Sequence, residues 1–279
     1  MTPTVAIIAP GAMGSGIAQR LTENKVTVLT SLKGRSEASA GRARKAGMQD
    51  VDERQLMDAD FLLSIVPPRD ALALAKQLAP LLAAAKRKPV YADCNAVSPD
   101  TAAAIAAVIT ETGAPFADAG IIGPPPKPGS SDTRLYASGL AAGQLATLGN
   151  HGLIVRVLDG PLTAASALKM SYAGITKGLT ALGAAMILAA TRGGSGEALR
   201  TELAESRPDL LGYLSRVIPA MYSKAYRFVD ELDQISDFVG KDHPENAMLS
   251  AAARFYERIA DDFDGGKEEI TALDKFLER

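Results

Sequence analysis

The sequence predicts an α/β fold: a doubly wound sheet of mostly parallel strands, followed by an all-α domain. Three observations predict it. Short apolar, β-branched runs alternate with helix-period segments through the first 160 residues. The first of those runs leads straight into a glycine-rich turn, VAIIAPGAMGSG at 5–16. After Asp159-Gly160-Pro161 the strand-like runs stop, and every later segment has helical period. Strands that alternate with helices imply βαβ units and a parallel sheet.

Taken in order, residues 5–9 form a short apolar strand, and 12–24 a helix with Ile17, Ala18 and Leu21 on one side. Residues 25–30 (KVTVLT) are β-branched and strand-like, and 36–46 form a small Ala- and Arg-rich helix. A buried strand at 61–66 (FLLSIV) is stopped by Pro67-Pro68. A helix over 71–85 and a strand over 89–93 follow. The helix over 101–112 is capped near Ser98 or Asp100. Strands at 115–122, 134–138 and 153–158 complete the sheet. Residues 162–191 then read as one long helix, apolar nearly all round and therefore expected to be buried. Gly193-Gly-Ser-Gly196 ends it, and helices follow over 199–206, 209–238 and 246–262. The domains are thus 1–160 and 161–279, with 161–192 as the long interdomain helix.

Composition narrows the function classes. A length of 279 residues holds one large or two modest domains, and 47% apolar residues allow a substantial core. A net charge of −2 argues against a nucleic-acid partner. One cysteine, Cys94, excludes an internal disulfide and suits a reducing cytoplasm. Two isolated histidines, His151 and His243, give no histidine-based metal site. The most apolar stretch, 178–191, falls short of the roughly 20 residues of a membrane span. No membrane partner is expected.

The glycine turn points to a nucleotide. The dinucleotide-binding pattern is G-x-G-x-x-G after a strand and before a helix. Here Ala9 replaces the first glycine, while Gly11 and Gly14 keep the second and third. The second lets backbone approach a pyrophosphate, and the third lets helix and strand pack. Ala9 is expected to make the bend at negative φ. The helix start at Ala12, Met13 and Gly14 then aims its N–H groups at phosphate. An NAD site places an acid about 20 residues on, for the ribose 2′-hydroxyl. No acid occurs between Asn24 and Ser36; the strand exits through Thr30-Ser31-Leu-Lys33-Gly-Arg35-Ser36. Arg35, flanked by hydroxyls, suits a 2′-phosphate, and Lys33 adds charge. The expected cofactor is NADP(H).

These residues resemble the β-hydroxyacid dehydrogenases, whose opening reads G-x-G-x-M-G. Val66-Pro67-Pro68 is similar to that superfamily's nicotinamide-side loop, and YADCNAVSP at 91–99, with Asn95, to its fifth strand and turn. The second half, ASALKMSYAGITKGLTAL, resembles the 6-phosphogluconate dehydrogenase-like branch with an uncharacterised helical C-terminal domain. The resemblance implies hydride transfer between NADP(H) and the alcohol or carbonyl of a small polar metabolite. It also implies a helical domain that closes the site and forms a homodimer. An imine reductase and a non-catalytic NADP(H)-binding sensor are the alternatives. The family's substrate loop, Asp-Ala-Pro-Val-Ser-Gly-Gly, corresponds to Asp118-Ala-Gly-Ile-Ile122-Gly123-Pro124. Ile122 replaces the serine that helps hold a substrate carboxylate, and only Gly123 is kept.

The resemblance also implies a catalytic lysine on the long helix, followed four residues later by asparagine. Lys169 fits the lysine; Ala173 stands at the asparagine position, with Tyr172 one residue earlier as a substitute hydrogen-bonding group. An ammonium on an apolar helix is costly to bury unpaired, which suits an acid–base group. Lys177 has an equally apolar context two turns on, so burial reasoning alone leaves both lysines open. Lys241 is the nearest match to a second lysine of better-known relatives. Asp93 and Asp118 sit at predicted strand ends, with ligand contact or cap and turn duties equally open. Cys94 reads as a packing residue.

Overall fold

The computed structural model describes residues 2–127 and 132–278. The chain divides into two compact units, Met1–Lys169 and Met170–Arg279, so the division falls inside the long helix, nine residues past the sequence boundary at 160.

The first unit is built on one sheet. Its elements run β1 (Thr4–Ile8), α1 (Ala12–Glu23), β2 (Thr27–Thr30), α2 (Glu37–Lys45), β3 (Gln49–Asp50), β4 (Phe61–Ser64), α3 (Ala71–Ala84), β5 (Val90–Asp93), α4 (Pro99–Glu111), β6 (Phe116–Ile122), β7 (Arg134–Ser138), α5 (Ala142–Ala146), β8 (Ile154–Val157) and the start of α6 (Ala164–Arg192). Strand order is β3-β2-β1-β4-β5-β6-β7-β8. All pairs are parallel except β6 with β7. The order reverses between β1 and β4, the point at which such sheets bind ligands beyond their strand ends.

Both faces of the central strands are covered, which is why β1, β4, β5 and β6 are buried along nearly their whole length and largely apolar. On β1, Val5 and Ile7 join Ile17, Leu21 and Val28 on one face. Ala6 and Ile8 join Leu62, Leu78 and Ile105 on the other. Local chemistry sets several boundaries. Ser98 caps α4, its hydroxyl accepting from Thr101 N, with Pro99 at the first helical position. Ser36 caps α2 in the same way from Ser39 N. The two-residue β3, absent from the sequence reading, pairs Asp50 opposite Thr30.

The second unit is helical: the remainder of α6, α7 (Gly196–Ser206), α8 (Pro208–Met221), α9 (Ala225–Val239), α10 (Glu245–Asp264) and α11 (Glu268–Leu277). The single helix expected over 209–238 is two. Pro219 removes a backbone donor near the end of α8, and a 3-10 turn over Tyr222–Lys224 follows. Tyr222 turns inward there, its hydroxyl donating to Asp274 at 2.9 Å. Lys241 and His243 lie exposed in the turn between α9 and α10. Within this unit α6 packs closely: a Cβ on Gly183 would meet Leu214 at 2.5 Å, and one on Gly174 would meet Ile235 at 3.1 Å.

The expectation of a fully buried α6 needs correction. Tyr172, Ile175, Leu179, Leu182 and Met186 are exposed, Ile175 at 71%. They recur at spacings of three and four, a single apolar stripe. The helix is also longer than the apolar stretch the sequence isolates. By length and composition alone it is sufficient to cross a membrane. Its polar contacts are those of a helix built into a domain: Lys177 pairs with Glu231 at 2.8 Å, and the Tyr256 hydroxyl donates to Lys177 O.

Candidate functional site

The glycine turn lies at the end of β1, at the reversal of strand order. Ala9 adopts φ +70°, not the negative φ expected of it. An L-residue there costs about 1–2 kcal/mol, so the bend is strained where glycine is usual. The bend brings the Ala9 carbonyl against α1: a Cβ on Gly14 would lie 2.5 Å from that oxygen. Glycine at 14 is therefore required by close approach, the helix–strand packing duty expected of it. A Cβ on Gly11 would meet nothing within 4 Å, so the space above the turn is open.

The start of α1 suits an anion. Gly11 is its N-cap, no side chain caps it, and its first turn holds no acid. The N–H groups of Ala12, Met13 and Gly14 have no intrahelical acceptor, and the helix dipole favours negative charge beside them. A pyrophosphate fits this donor set. Arg42 on α2 completes the turn, its Nε donating to Pro10 O at 2.9 Å. Sequence reasoning missed Arg42, because nothing local ties a helical arginine to a turn 32 residues earlier.

The exit of β2 differs in two respects from expectation. Thr30 is fully buried and its hydroxyl donates to Ile7 O at 2.9 Å. It ties β2 to β1 and does not present its side chain to a ligand. Asp50 reaches the exit from β3, accepting from Leu32 N at 2.9 Å. Sequence spacing along β2 gave no sign of this acid. Ser31, Lys33, Asp50, Asp52 and Gln55 line an open cavity of about 500 Å³ at this edge. Arg35 is exposed in the loop between β2 and α2, while Ser36 serves as the α2 cap.

The ends of β4 and β5 are tied by one side chain. Asn95 is buried; its Oδ1 accepts from Val66 N at 2.7 Å, and its Nδ2 donates to Ser64 Oγ at 2.9 Å and to Asp93 Oδ1. Its polar atoms are thus engaged within the protein. Its side chain holds the Val66-Pro67-Pro68 loop through Val66 N and does not present a free polar atom to a ligand. Asp93 is fully buried, and its Oδ2 has no hydrogen-bond partner among the described residues. Burial first, then the nearby Asp118 charge, push its carboxyl up to about 7. The folded state therefore holds this proton where the unfolded chain has lost it. Asp93 stabilises fully below about pH 4, and that contribution is lost as pH rises to about 7. Melting temperature followed between those pH values should fall less steeply in Asp93→Asn than in the parent protein. An unchanged slope would show that Asp93 ionises normally.

β6 and the start of α6 form one unit of structure. Asp118 is fully buried, accepting from Ser166 N at 2.8 Å and Ser166 Oγ at 2.7 Å, with Ser138 Oγ at 3.4 Å. It caps the α6 N-terminus across the sheet, which settles the cap duty left open for it. Burial raises its carboxyl above the usual value, against the lowering effect of those hydrogen bonds. Gly120 admits the helix: a Cβ there would lie 2.7 Å from Ala165 O and 3.1 Å from Lys169 Cβ. One turn into α6, Lys169 Nζ donates to Ile121 O at 2.7 Å. Its ammonium thus sits at the end of β6, beside the loop that starts at Gly123. Gly123 has φ +123°, and a Cβ there would meet Asp132 O at 2.6 Å. Ile122 is buried, so the side chain in the serine's place is turned into the protein.

The two lysines are now distinguishable. Lys177 belongs to the second unit, where it pairs with Glu231 and lies 4.9 Å from the centre of the Phe228 ring. It is spent on packing, whereas Lys169 sits at a strand end. Tyr172 is half-exposed, and its hydroxyl makes no hydrogen bond among the described residues; it begins the apolar stripe. Cys94 is buried, as expected of a packing residue.

Cradle, strand order and loop geometry define a dinucleotide-binding domain, and comparison with known proteins agrees. Residues 4–139 match the NAD binding domain of 6-phosphogluconate dehydrogenase, and residues 190–259 match a domain of unknown function, DUF1932. The chain therefore combines an NAD-binding domain of the 6-phosphogluconate dehydrogenase type with a DUF1932 domain. The first match ends before Lys169. An uncharacterised 28.5 kDa protein of Methanothermus fervidus is 28% identical over 259 residues, 91% of this chain and 98% of its own. The structure of conserved protein MTH1747, of unknown function and described as similar to 3-hydroxyacid dehydrogenases, is 26% identical. It covers 97% of this chain and 99% of its own, at a TM-score of 0.75. The 3-hydroxyisobutyrate dehydrogenase of Salmonella typhimurium shares the fold, at 20% identity, 98% and 99% coverage and a TM-score of 0.70.

Proposed function

We propose that the protein is an NADP(H)-dependent oxidoreductase that interconverts an alcohol and a carbonyl on a small polar metabolite. The observation that carries this reading is the Lys169 ammonium at the end of β6, on the same sheet edge as the glycine turn. Nicotinamide, when bound, supplies or accepts the hydride. The α1 N-terminus, with Gly11, Ala12, Met13 and Gly14, holds the pyrophosphate. Lys33 and Arg35 favour a 2′-phosphate. The Asn95 clamp fixes the Val66-Pro67 loop on the nicotinamide side. Lys169 donates its proton to the oxygen as alkoxide charge develops, and takes it back in oxidation. Asp118 is a positioning residue: it holds the helix start that carries Lys169. With Ile122 buried where relatives place a serine, recognition of the substrate passes to Gly123 and Lys169. The soluble, cytoplasmic setting expected from the single thiol belongs to this reading.

The working form is a homodimer. The 172–186 stripe supports it, since an exposed apolar seam at heptad spacing is self-complementary. Light scattering should return twice the chain mass, and Leu182→Glu should halve it. A monomeric parent protein would refute this part.

A panel of hydroxy acids and keto acids with NADP⁺ or NADPH tests the activity. Turnover of at least one, followed by nicotinamide absorbance, is expected. Turnover of cyclic imines alone would replace alcohol chemistry with imine reduction. Tight NADPH binding with no turnover of either class would leave a nucleotide sensor.

A further inference from the structure

We propose that Arg42 is a specificity-determining residue, the second cation of a site for the adenosine 2′-phosphate. The inference rests on the NADP(H) reading. Arg42 lies in the second turn of α2, far in sequence from both the glycine turn and the exit of β2, yet it connects them. Its Nε donates to Pro10 O at 2.9 Å, inside the glycine turn. Its Nη2 donates to Ser39 Oγ at 2.9 Å. Ser39 Oγ in turn lies 3.2 Å from Ser36 Oγ, the cap of α2 and the neighbour of Arg35. Ser36, Ser39 and Arg42 are spaced by three, so they share one face of the first two turns.

This row runs from the pyrophosphate cradle to the segment where NAD enzymes place the acid for the 2′-hydroxyl. It offers two hydroxyls and a guanidinium. Three guanidinium N–H groups, two on Nη1 and one on Nη2, have no partner among the described residues. A guanidinium fixed through Nε keeps its fork in one plane, the geometry that grips a phosphate with two hydrogen bonds. The neighbouring acid on α2, Glu37, is paired with Arg44 and does not neutralise it. Asp50 accepts from Leu32 N. Arg35, exposed in the loop, closes on the same phosphate from the loop side.

The test uses the intact chain with 2′,5′-ADP, which carries the 2′-phosphate without a pyrophosphate, and ADP, which carries the reverse. Arg42→Gln should weaken 2′,5′-ADP by about 10–100-fold and leave ADP within about twofold, with the melting temperature nearly unchanged because Arg42 is exposed. Arg42→Lys should recover only part of the affinity. Equal losses for both nucleotides would assign Arg42 to the pyrophosphate or to the turn and overturn the proposal, as would no loss for either. If the parent protein binds 5′-AMP, which lacks only the 2′-phosphate, as tightly as 2′,5′-ADP, the NADP(H) reading itself fails, whatever Arg42 does.

Discussion

Lys169→Met is expected to lower turnover on any alcohol or carbonyl substrate by about 10²–10⁴, the usual worth of a positioned acid or base, while NADPH binding stays within about twofold. The split follows from geometry. The proposed nucleotide-binding elements are the glycine turn, the β2 exit and the Val66-Pro67 loop, while Lys169 lies at the end of β6. Its described hydrogen bond is to Ile121 O, at the end of β6. Methionine keeps the length and apolar stem, so Gly120 still packs against the helix. Lys177→Met is the control: it removes an ion pair with Glu231 inside the helical unit and should cost stability with little change in turnover. If Lys169→Met leaves turnover intact, the proton comes from another group.

Asp118→Ala should destabilise the first unit by about 3 kcal/mol and lower turnover with it. Asp118 is fully buried and receives three hydrogen bonds, from Ser166 N, Ser166 Oγ and Ser138 Oγ. Deleting the carboxylate leaves those donors buried and unmet, at about 1–3 kcal/mol for each group that finds no other partner. The Ser138 hydroxyl retains Leu162 O as an acceptor, which limits the loss. The favourable charge at the α6 N-terminus also goes. Since Lys169 lies one turn beyond Ser166, a loosened helix start displaces the ammonium. Thermal melting reads the first effect and turnover the second. A melting temperature unchanged within about 1 °C would show that the Asp118 cluster contributes little.

Much of the fold was legible because parallel sheets buried on both faces write themselves as continuous apolar runs. Seven of the eight strands were legible as apolar or β-branched runs, the continuous ones, such as VAIIA at 5–9, most plainly. β3 did not, because two exposed residues, Gln49 and Asp50, carry no hydrophobic period. The break between α8 and α9 was hidden because apolar spacing continues across the Tyr222–Lys224 turn, although Pro219 marks its approach. The face left open on α6 was invisible for a related reason: a helix apolar all round does not say which side finds a partner within its own chain.

The site divides in the same way. The cradle was legible from glycines in sequence. What is not legible is who holds what. Thr30 lies at the β2 exit but turns inward to Ile7 O. Asn95 acts through Val66. Asp50 and Arg42 approach from elements with no sequence link to the residues they touch. Ala9 marked the variant turn, but its left-handed conformation came from the need to fold the carbonyl onto Gly14.

On the proposed NADP(H) reading, the β2 exit binds a phosphate and not a ribose hydroxyl. Dissociation constants for NADPH and NADH, measured by calorimetric titration of the intact chain in one low-salt buffer, test it most directly. NADPH is expected to bind more tightly by at least about tenfold, the worth of one charge-assisted hydrogen bond. Equal affinities, or tighter NADH, would contradict it and make Asp50, the acid that reaches the exit from β3, the reader of a 2′-hydroxyl.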